Sequence, residues 1–276
     1  MGFFVIIKLI SERIFTMEAN YKNWVPKSMV TALGIGTTVL ALGTLGISVL
    51  KKENTLGKRA LQIALGAGTL VCGSYDLWAV NARKNFSYNG KRQLSRQIVE
   101  GTADYVTLPD GGLGLDVGCG SGALTIAVAK NNPHAKIIGI DRWGGVYSSY
   151  SKELCEQNAA AEGVSNVTFA TGNAVKLDFP DEIFDAVTSN YVYHNIMGKD
   201  KQKLILETLR VLKKGGTFAI HDIMASYGDV NALVECLKEQ GYEEVHLIDT
   251  TDGMFMTKFE AKTLMLEQSF LLYGKK

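Results

Sequence analysis

The residues best suited to chemistry lie in four short stretches of the second half of the chain. The run Leu115-Asp116-Val117-Gly118-Cys119-Gly120-Ser121-Gly122 sets an acidic residue in an apolar stretch and then glycines at alternate positions. Glycine at that spacing lets the backbone turn tightly and lets a ligand approach without meeting a Cβ. The pattern is D-x-G-x-G-x-G, not the G-x-G-x-x-G of dinucleotide-binding turns. Nineteen residues after Gly122 stands Asp141, whose carboxylate can accept hydrogen bonds from both hydroxyls of a ribose. Thr171-Gly172-Asn173-Ala174 offers a polar side chain that can meet an adenine amino group. The run Asn190-Tyr191-Val192-Tyr193-His194-Asn195 completes the set. A histidine there can take a proton at neutral pH, or it can hydrogen-bond and shape a pocket wall.

These stretches need elements to bring them together. Apolar runs at 113–117, 136–140, 167–170, 186–189, 217–220, 244–248 and 270–273 read as strands. Helical stretches fall at 123–131, 149–162, 201–212 and 230–240. Strands alternating with helices predict an α/β domain with a mostly parallel sheet covered on both faces. Ligands of such sheets bind at the carboxyl ends of the strands, near the switch in strand order. Each candidate stretch ends or follows a predicted strand. The segment 85–108 is a lead-in, with Leu94, Ile98, Val99 and Val106 on one helical face.

The set resembles a class I S-adenosylmethionine-dependent methyltransferase, of the type related to ubiquinone/menaquinone-biosynthesis and sterol methyltransferases, over residues 111–276. The resemblance implies a Rossmann-like seven-stranded sheet and S-adenosyl-L-methionine as cofactor. It implies that Asp116, Gly118, Cys119, Gly120 and Gly122 shape the methionine pocket. Asp141 goes to the ribose, Asn173 and Ala174 to the adenine, and Asn190 beside the methionine end. Arg142 is read at the adenosine, with an anionic acceptor or a surface ion pair as alternatives. The run Arg210-Val211-Leu212-Lys213-Lys214-Gly215-Gly216 matches the family turn R-x-L-K-P-G-G, with Lys214 in place of proline. Asn173 replaces the usual aspartate; its carbonyl still accepts from an adenine N–H, without charge assistance. His194 and Tyr193 are the catalytic candidates. Tyr88, Trp143, Tyr147, Tyr191, His194 and His221 are the candidates for lining the acceptor pocket, although Trp143 also suits a cover over the sheet edge. Tyr88 lies in a stretch suited to a lid or a plain linker. His221 and Asp222 form a further acid/base pair by sequence, for which a structural role is favoured.

The first third reads as a different object. Residues 28–50 carry no charge and are rich in Leu, Val, Ile, Gly and Thr. A helix of that length reaches roughly 34 Å, enough for a hydrocarbon core of about 30 Å. A second apolar run covers 60–80, interrupted only by Gln62 and Asp76. Lys51, Lys52, Glu53, Lys58 and Arg59 make the polar turn between the runs, and Tyr21, Trp24, Tyr75 and Trp78 stand at their ends, where aromatic residues suit headgroup depth. Gly34, Gly36, Gly43 and Gly46 would weaken a helix in water but permit close helix packing in lipid, as does the stripe Ala60, Ala64, Gly68 and Cys72. A transmembrane hairpin is therefore expected, against the alternative of a buried hairpin in a soluble fold. The expected organisation is an N-terminal segment at 1–27, the hairpin at 28–82, a juxtamembrane linker and lid helix at 83–110, and the catalytic domain at 111–276. Residues 2–10 are apolar but short and no cleavage site follows, so they read as a surface segment or as lying upstream of a true start at Met17 rather than as a signal peptide.

The charge fits this division. The net charge of +1 combines residues 1–84, with ten Lys/Arg against four Asp/Glu for +6, and residues 85–276, with nineteen against twenty-four for −5. The acidic catalytic part argues against a nucleic-acid substrate. Four scattered cysteines and four scattered histidines predict neither a metal site nor a disulfide framework. Basic residues flank both ends of the hairpin and so orient it weakly. The cytosolic cofactor that the resemblance implies decides the side: a two-span protein of the cell membrane with its catalytic domain in the cytosol. The expected acceptor is a lipid, quinone or other hydrophobic small molecule. A thiol or xenobiotic acceptor, and a non-catalytic membrane scaffold, are the alternatives, and the small-residue stripes allow chains to pair through their helices.

Overall fold

A computed structural model describes residues 18–49, 55–144 and 149–276. The described residues divide into two compact units, one within 22–96 and one that joins residues 18–21 to 97–276.

The first unit is a helical hairpin, α1 (Lys27–Val49) and α2 (Leu56–Asn85). Both helices are long and apolar enough to cross a membrane, and few of their residues are fully buried. Small residues set their approach. A Cβ on Gly36 would stand 3.3 Å from Cys72 Sγ, and one on Gly68 3.4 Å from Leu40. The hydroxyls of Thr37, Thr44, Thr69 and Ser74 each donate to the carbonyl four residues earlier, at 2.8–2.9 Å, which satisfies them without water. The ends opposite the turn are tied by an Arg83 guanidinium donating to Val25 O at 2.5 Å and by edge contacts of Trp24 with Trp78 and Phe86. Thr55 caps α2, and the helix continues past the apolar run through Arg83 and Lys84, cations that suit a C-terminal turn. The turn 50–54 lies outside the described residues.

The second unit carries a seven-stranded sheet. Its elements after α3 (Leu94–Ala103) are β1 (Leu113–Val117), α4 (Ala123–Asn131), β2 (Lys136–Asp141), α5 (Lys152–Ala161), β3 (Val167–Thr171), β4 (Phe184–Asn190), α6 (Lys201–Arg210), β5 (Leu212–Ile223), α7 (Val230–Glu239), β6 (Glu243–Asp249), α8 (Lys258–Leu264) and β7 (Ser269–Lys275). The strand order is β3-β2-β1-β4-β5-β7-β6. All neighbours are parallel except β7, which runs antiparallel to both β5 and β6. The first four strands and the core of β5 match the apolar runs of the sequence. Continuous burial on both faces explains why: β1 and β4 show almost no alternation. The order reverses between β1 and β4, so the crevice for a ligand opens beyond Val117 and Asn190.

One element had no signal in the apolar pattern. Helix α8 follows a turn at Thr250–Phe255 and is only seven residues long. Its capping box, Thr257 with Glu260, is the feature that could have marked it.

Candidate active site

The glycine run forms a loop from β1 to α4. The N–H groups of Gly118 and Cys119 both donate to Ile140 O, at 2.8 and 3.0 Å, so the end of β2 anchors the loop. Gly118, Gly120 and Gly122 have φ of +75°, +55° and +82°, a region L-residues rarely adopt. They differ in their surroundings. A Cβ on Gly118 would stand 2.4 Å from Val192, whereas one on Gly120 would find nothing among the described residues closer than Tyr150 at 4.0 Å. Gly118 is therefore glycine for packing against the β4 loop. Gly120 is glycine beside open space.

Asp116 faces inward. Its side chain is buried and accepts from Thr125 Oγ1 at 2.6 Å and Thr188 Oγ1 at 3.1 Å. Burial raises its pKa to about 6, against the lowering effect of those two hydroxyls. It ties β1 to α4 and β4 beneath the loop. Asp141 reaches the loop from β2: one carboxylate oxygen accepts from Gly120 N at 2.9 Å and the other from Trp143 N at 2.7 Å. The Trp143 indole N–H then donates to Gly120 O at 2.9 Å, and the Cys155 thiol to the same carbonyl at 3.2 Å. Gly120 is thus held at both of its backbone polar groups. Cys119 is buried, and burial drives its thiol well above the ordinary range. Asn158 of α5 donates to Ser121 O at 2.9 Å and accepts from Asn20 N at 2.7 Å, so the segment before the hairpin meets the supports of this loop.

The remaining cofactor candidates follow the next strand ends. Asn173 is exposed after β3 and accepts from Val175 N at 3.0 Å in its own turn. Ala174 packs against the core. Arg142 is exposed, and Tyr147 lies outside the described residues. Asn190 ends β4 with its carbonyl oxygen 2.8 Å from His221 Nδ1. The other His221 nitrogen meets Thr250 Oγ1 at 3.0 Å. Burial pushes the His221 pKa down to about 3, so the ring is neutral. A fully buried ring with both nitrogens engaged offers an acceptor nothing to bind, which corrects the expectation of His221 as a pocket residue; it positions Asn190 instead.

His194 has a partner the sequence did not pair with it. Its Nδ1 is hydrogen-bonded to Asp222 Oδ1. Asp222 is fully buried and its other oxygen accepts from Tyr193 N at 2.7 Å, His194 N at 3.2 Å and Tyr227 Oη at 2.8 Å. Sequence adjacency suggested His221 with Asp222. Successive residues of a strand point to opposite faces, so those two look away from each other, and Asp222 meets the turn after β4. About a quarter of the His194 side chain is exposed, and Nε2 makes no hydrogen bond among the described residues. A carboxylate that accepts from Nδ1–H leaves Nε2 with its lone pair outward, the tautomer of a general base.

Tyr193 is corrected. It is fully buried in the core and its hydroxyl is 2.6 Å from Thr208 Oγ1, where burial pushes its pKa far up. Consecutive residues of the 3-10 turn Tyr193–Asn195 point about a third of a turn apart, so His194 faces the crevice while Tyr193 faces inward. Tyr191 flanks the dyad with φ +56°. Its ring meets His194 and His221 edge-on, at centroid distances of 6.0 and 4.7 Å. Its hydroxyl donates to Ser269 Oγ at 3.0 Å, since that serine donates to Leu266 O. Tyr88 belongs to the hairpin unit, where it is buried with the Arg96 guanidinium 5.5 Å above its ring.

Comparison with known proteins agrees with this fold. A family described as a methyltransferase domain matches residues 110–265, more than half of the chain. A demethylmenaquinone methyltransferase of Geobacillus stearothermophilus is 38% identical over 103 residues, which cover 37% of this chain and 41% of that protein. The uncharacterized methyltransferase YcgJ of Bacillus subtilis is 35% identical over 109 residues, 39% of each chain. The chain therefore spans about two fifths of the length of these curated relatives. The crystal structure of the [4+2]-cyclase SpnF superposes with a TM-score of 0.51 at 22% identity, covering 69% of this chain and 84% of that one; the likeness is one of fold. A match over more than half its length gives the family directly: the chain belongs to the methyltransferase-domain family.

Proposed function

We propose that this chain transfers a methyl group from S-adenosylmethionine to a hydrophobic acceptor resident in a bilayer, with a reduced quinone as the leading class. It is held there by the α1–α2 hairpin, with its catalytic unit in the cytosol. The observation that carries the reading is the His194–Asp222 dyad, set beside the glycine loop at the switch in strand order. The demethylmenaquinone methyltransferases among its relatives and the two helices of membrane-spanning length support the choice of acceptor.

The residues fit the cofactor. The Gly120 backbone borders space that a side chain would fill. Each Asp141 oxygen accepts one backbone N–H and keeps a lone pair for a ribose hydroxyl. The positive end of α4 begins at Gly122, where a carboxylate is favoured. Gly118, Gly120, Asp141, Asn173 and Asn190 are the residues that would hold it; bound there, it supplies an electrophilic methyl group on a sulfonium. The chain's own work is positioning and proton removal. His194 Nε2 takes the proton of an acceptor hydroxyl, Asp222 stabilises the imidazolium that results, and Tyr191 closes the side of the site toward Ser269. Trp143 is assigned to the acceptor's apolar body.

The test uses the full chain in phospholipid vesicles, with methyl-labelled cofactor and a demethylated menaquinol as probe. Menaquinol carrying the labelled methyl is expected in the lipid phase by mass spectrometry. Label appearing only on added thiols would overturn the acceptor, and no transfer to any acceptor together with no calorimetric binding of S-adenosylhomocysteine would overturn the enzyme reading.

A further inference from the structure

Large apolar side chains are exposed at only three described positions of the catalytic unit: Met197 (90%), Phe259 (81%) and Met265 (60%). Topology puts all three at one edge. Met197 follows the 3-10 turn beyond the end of β4. Phe259 lies on α8, and Met265 ends that helix just before β7. Because β7 runs antiparallel to β5, with Ile223 opposite Ser269, the start of β7 stands at the carboxyl end of β5. That is the edge where the dyad opens. The Tyr191–Ser269 hydrogen bond, with Ser269 donating to Leu266 O, joins the β4 loop to the Met265 turn directly. Met265 holds φ +57°, a left-handed cap usually left to glycine or asparagine, and keeps a bulky side chain outward there.

The surroundings suit one kind of partner. Exposed Lys199 and Lys203 follow Met197, and exposed Lys258 and Lys262 flank Phe259. Lys203 and Lys258 reach Asp200 and Asp252 only at 3.8 and 3.4 Å, and exposed Glu267 follows Met265. The rim is thus near neutral, with apolar tips between long cationic stems. This is the pattern of a surface that sits in the interfacial layer of a bilayer, and isolated methionine and phenylalanine tips do not form the broad continuous patch of a protein interface. We propose that this edge is a lipid-contacting surface. Met197, Phe259 and Met265 enter the headgroup layer, so that an acceptor passes from the bilayer to His194 without crossing bulk water. The inference rests on the bilayer-resident acceptor argued above.

The full chain, reconstituted in phosphatidylcholine vesicles with one quarter phosphatidylglycerol, tests it. A photoreactive p-benzoyl-phenylalanine is placed at position 197, 259 or 265, and as control at 238 on α7, which packs beside β6 away from this edge. On illumination, the three rim positions are expected to give lipid adducts about tenfold above the control, as insertion of an apolar tip requires. Adducts at 259 no more frequent than at 238 would overturn the proposal, as would adducts only to a second copy of the chain. The readout needs no turnover. Rim crosslinking without menaquinol methylation therefore sinks the acceptor reading alone, and methylation without rim crosslinking sinks the lipid-contacting surface alone.

Discussion

At the scale of residues, the site depends on which face each side chain takes. His194→Ala is expected to lower kcat about a hundredfold, and to abolish the rise of rate with pH that a general base gives. Asp222→Asn is expected to cost about tenfold by a different route. Asparagine can donate to Nδ1, turning the ring to the tautomer with its proton on Nε2. Both are checked by pH–rate profiles, with the KM for cofactor unchanged. Two buried groups set opposing pH trends in stability. Asp116 has its pKa raised from 3.8 to about 6 by burial. Across that window the unfolded chain has released its proton and the folded chain has not, so stability falls as pH rises, by up to about 3 kcal/mol. His221 is lowered from 6.5 to about 3, so it adds stability as pH rises from 3 to 6.5. The two offset each other in the wild type. Asp116→Asn should therefore gain on the wild type steadily between pH 4 and pH 6.5, by several degrees of Tm followed by circular dichroism. Residue types alone marked His194, Asp141 and the glycines. They did not mark the Asp222 partnership or the burial of Tyr193, because strand alternation and a 3-10 turn decide those, and neither leaves a trace in spacing.

At the scale of elements, the β1–α4 loop joins local sequence to ligand binding. Its glycines are separable by their surroundings. Gly120→Arg meets no close neighbour but takes a left-handed φ, and is expected to abolish S-adenosylhomocysteine binding by calorimetry with a smaller fall in Tm than Gly118→Ala. Gly118→Ala meets Val192 at 2.4 Å and takes a left-handed φ, so it is expected to destabilise the fold by about 2 kcal/mol, read as a lower Tm. The central strands β1 and β4 were legible because a strand buried on both faces is a near-unbroken apolar run. Boundaries shifted where turns intervene. The helix expected over 201–212 ends at Arg210, whose guanidinium bonds Leu177 O, Phe179 O, Asp181 and Glu207 and so fastens the turn to the loop before β4. Helix α8 was invisible because seven residues give too few turns for a periodicity.

At the scale of the whole molecule, the charge division and the two apolar helices predict two separable behaviours. A chain beginning at Gln97 is expected to stay in solution without detergent, whereas the full chain floats with vesicles and resists extraction by high salt. Flotation assays check both, and full-length protein that stays soluble without lipid would remove the anchor. The sequence by itself determined the α/β class and the apolar hairpin, and it marked the glycine loop and Asp141 as candidates, because each is written in local composition: unbroken apolar runs, glycines at alternate positions, an acid at a strand end. Tertiary structure alone decided which histidine has the aspartate, that Tyr193 and His221 serve the core, and that Met197, Phe259 and Met265 share one edge. Those residues are separated in sequence by up to 68 positions, and only the antiparallel return of β7 beside β5 brings their elements to the same end of the sheet.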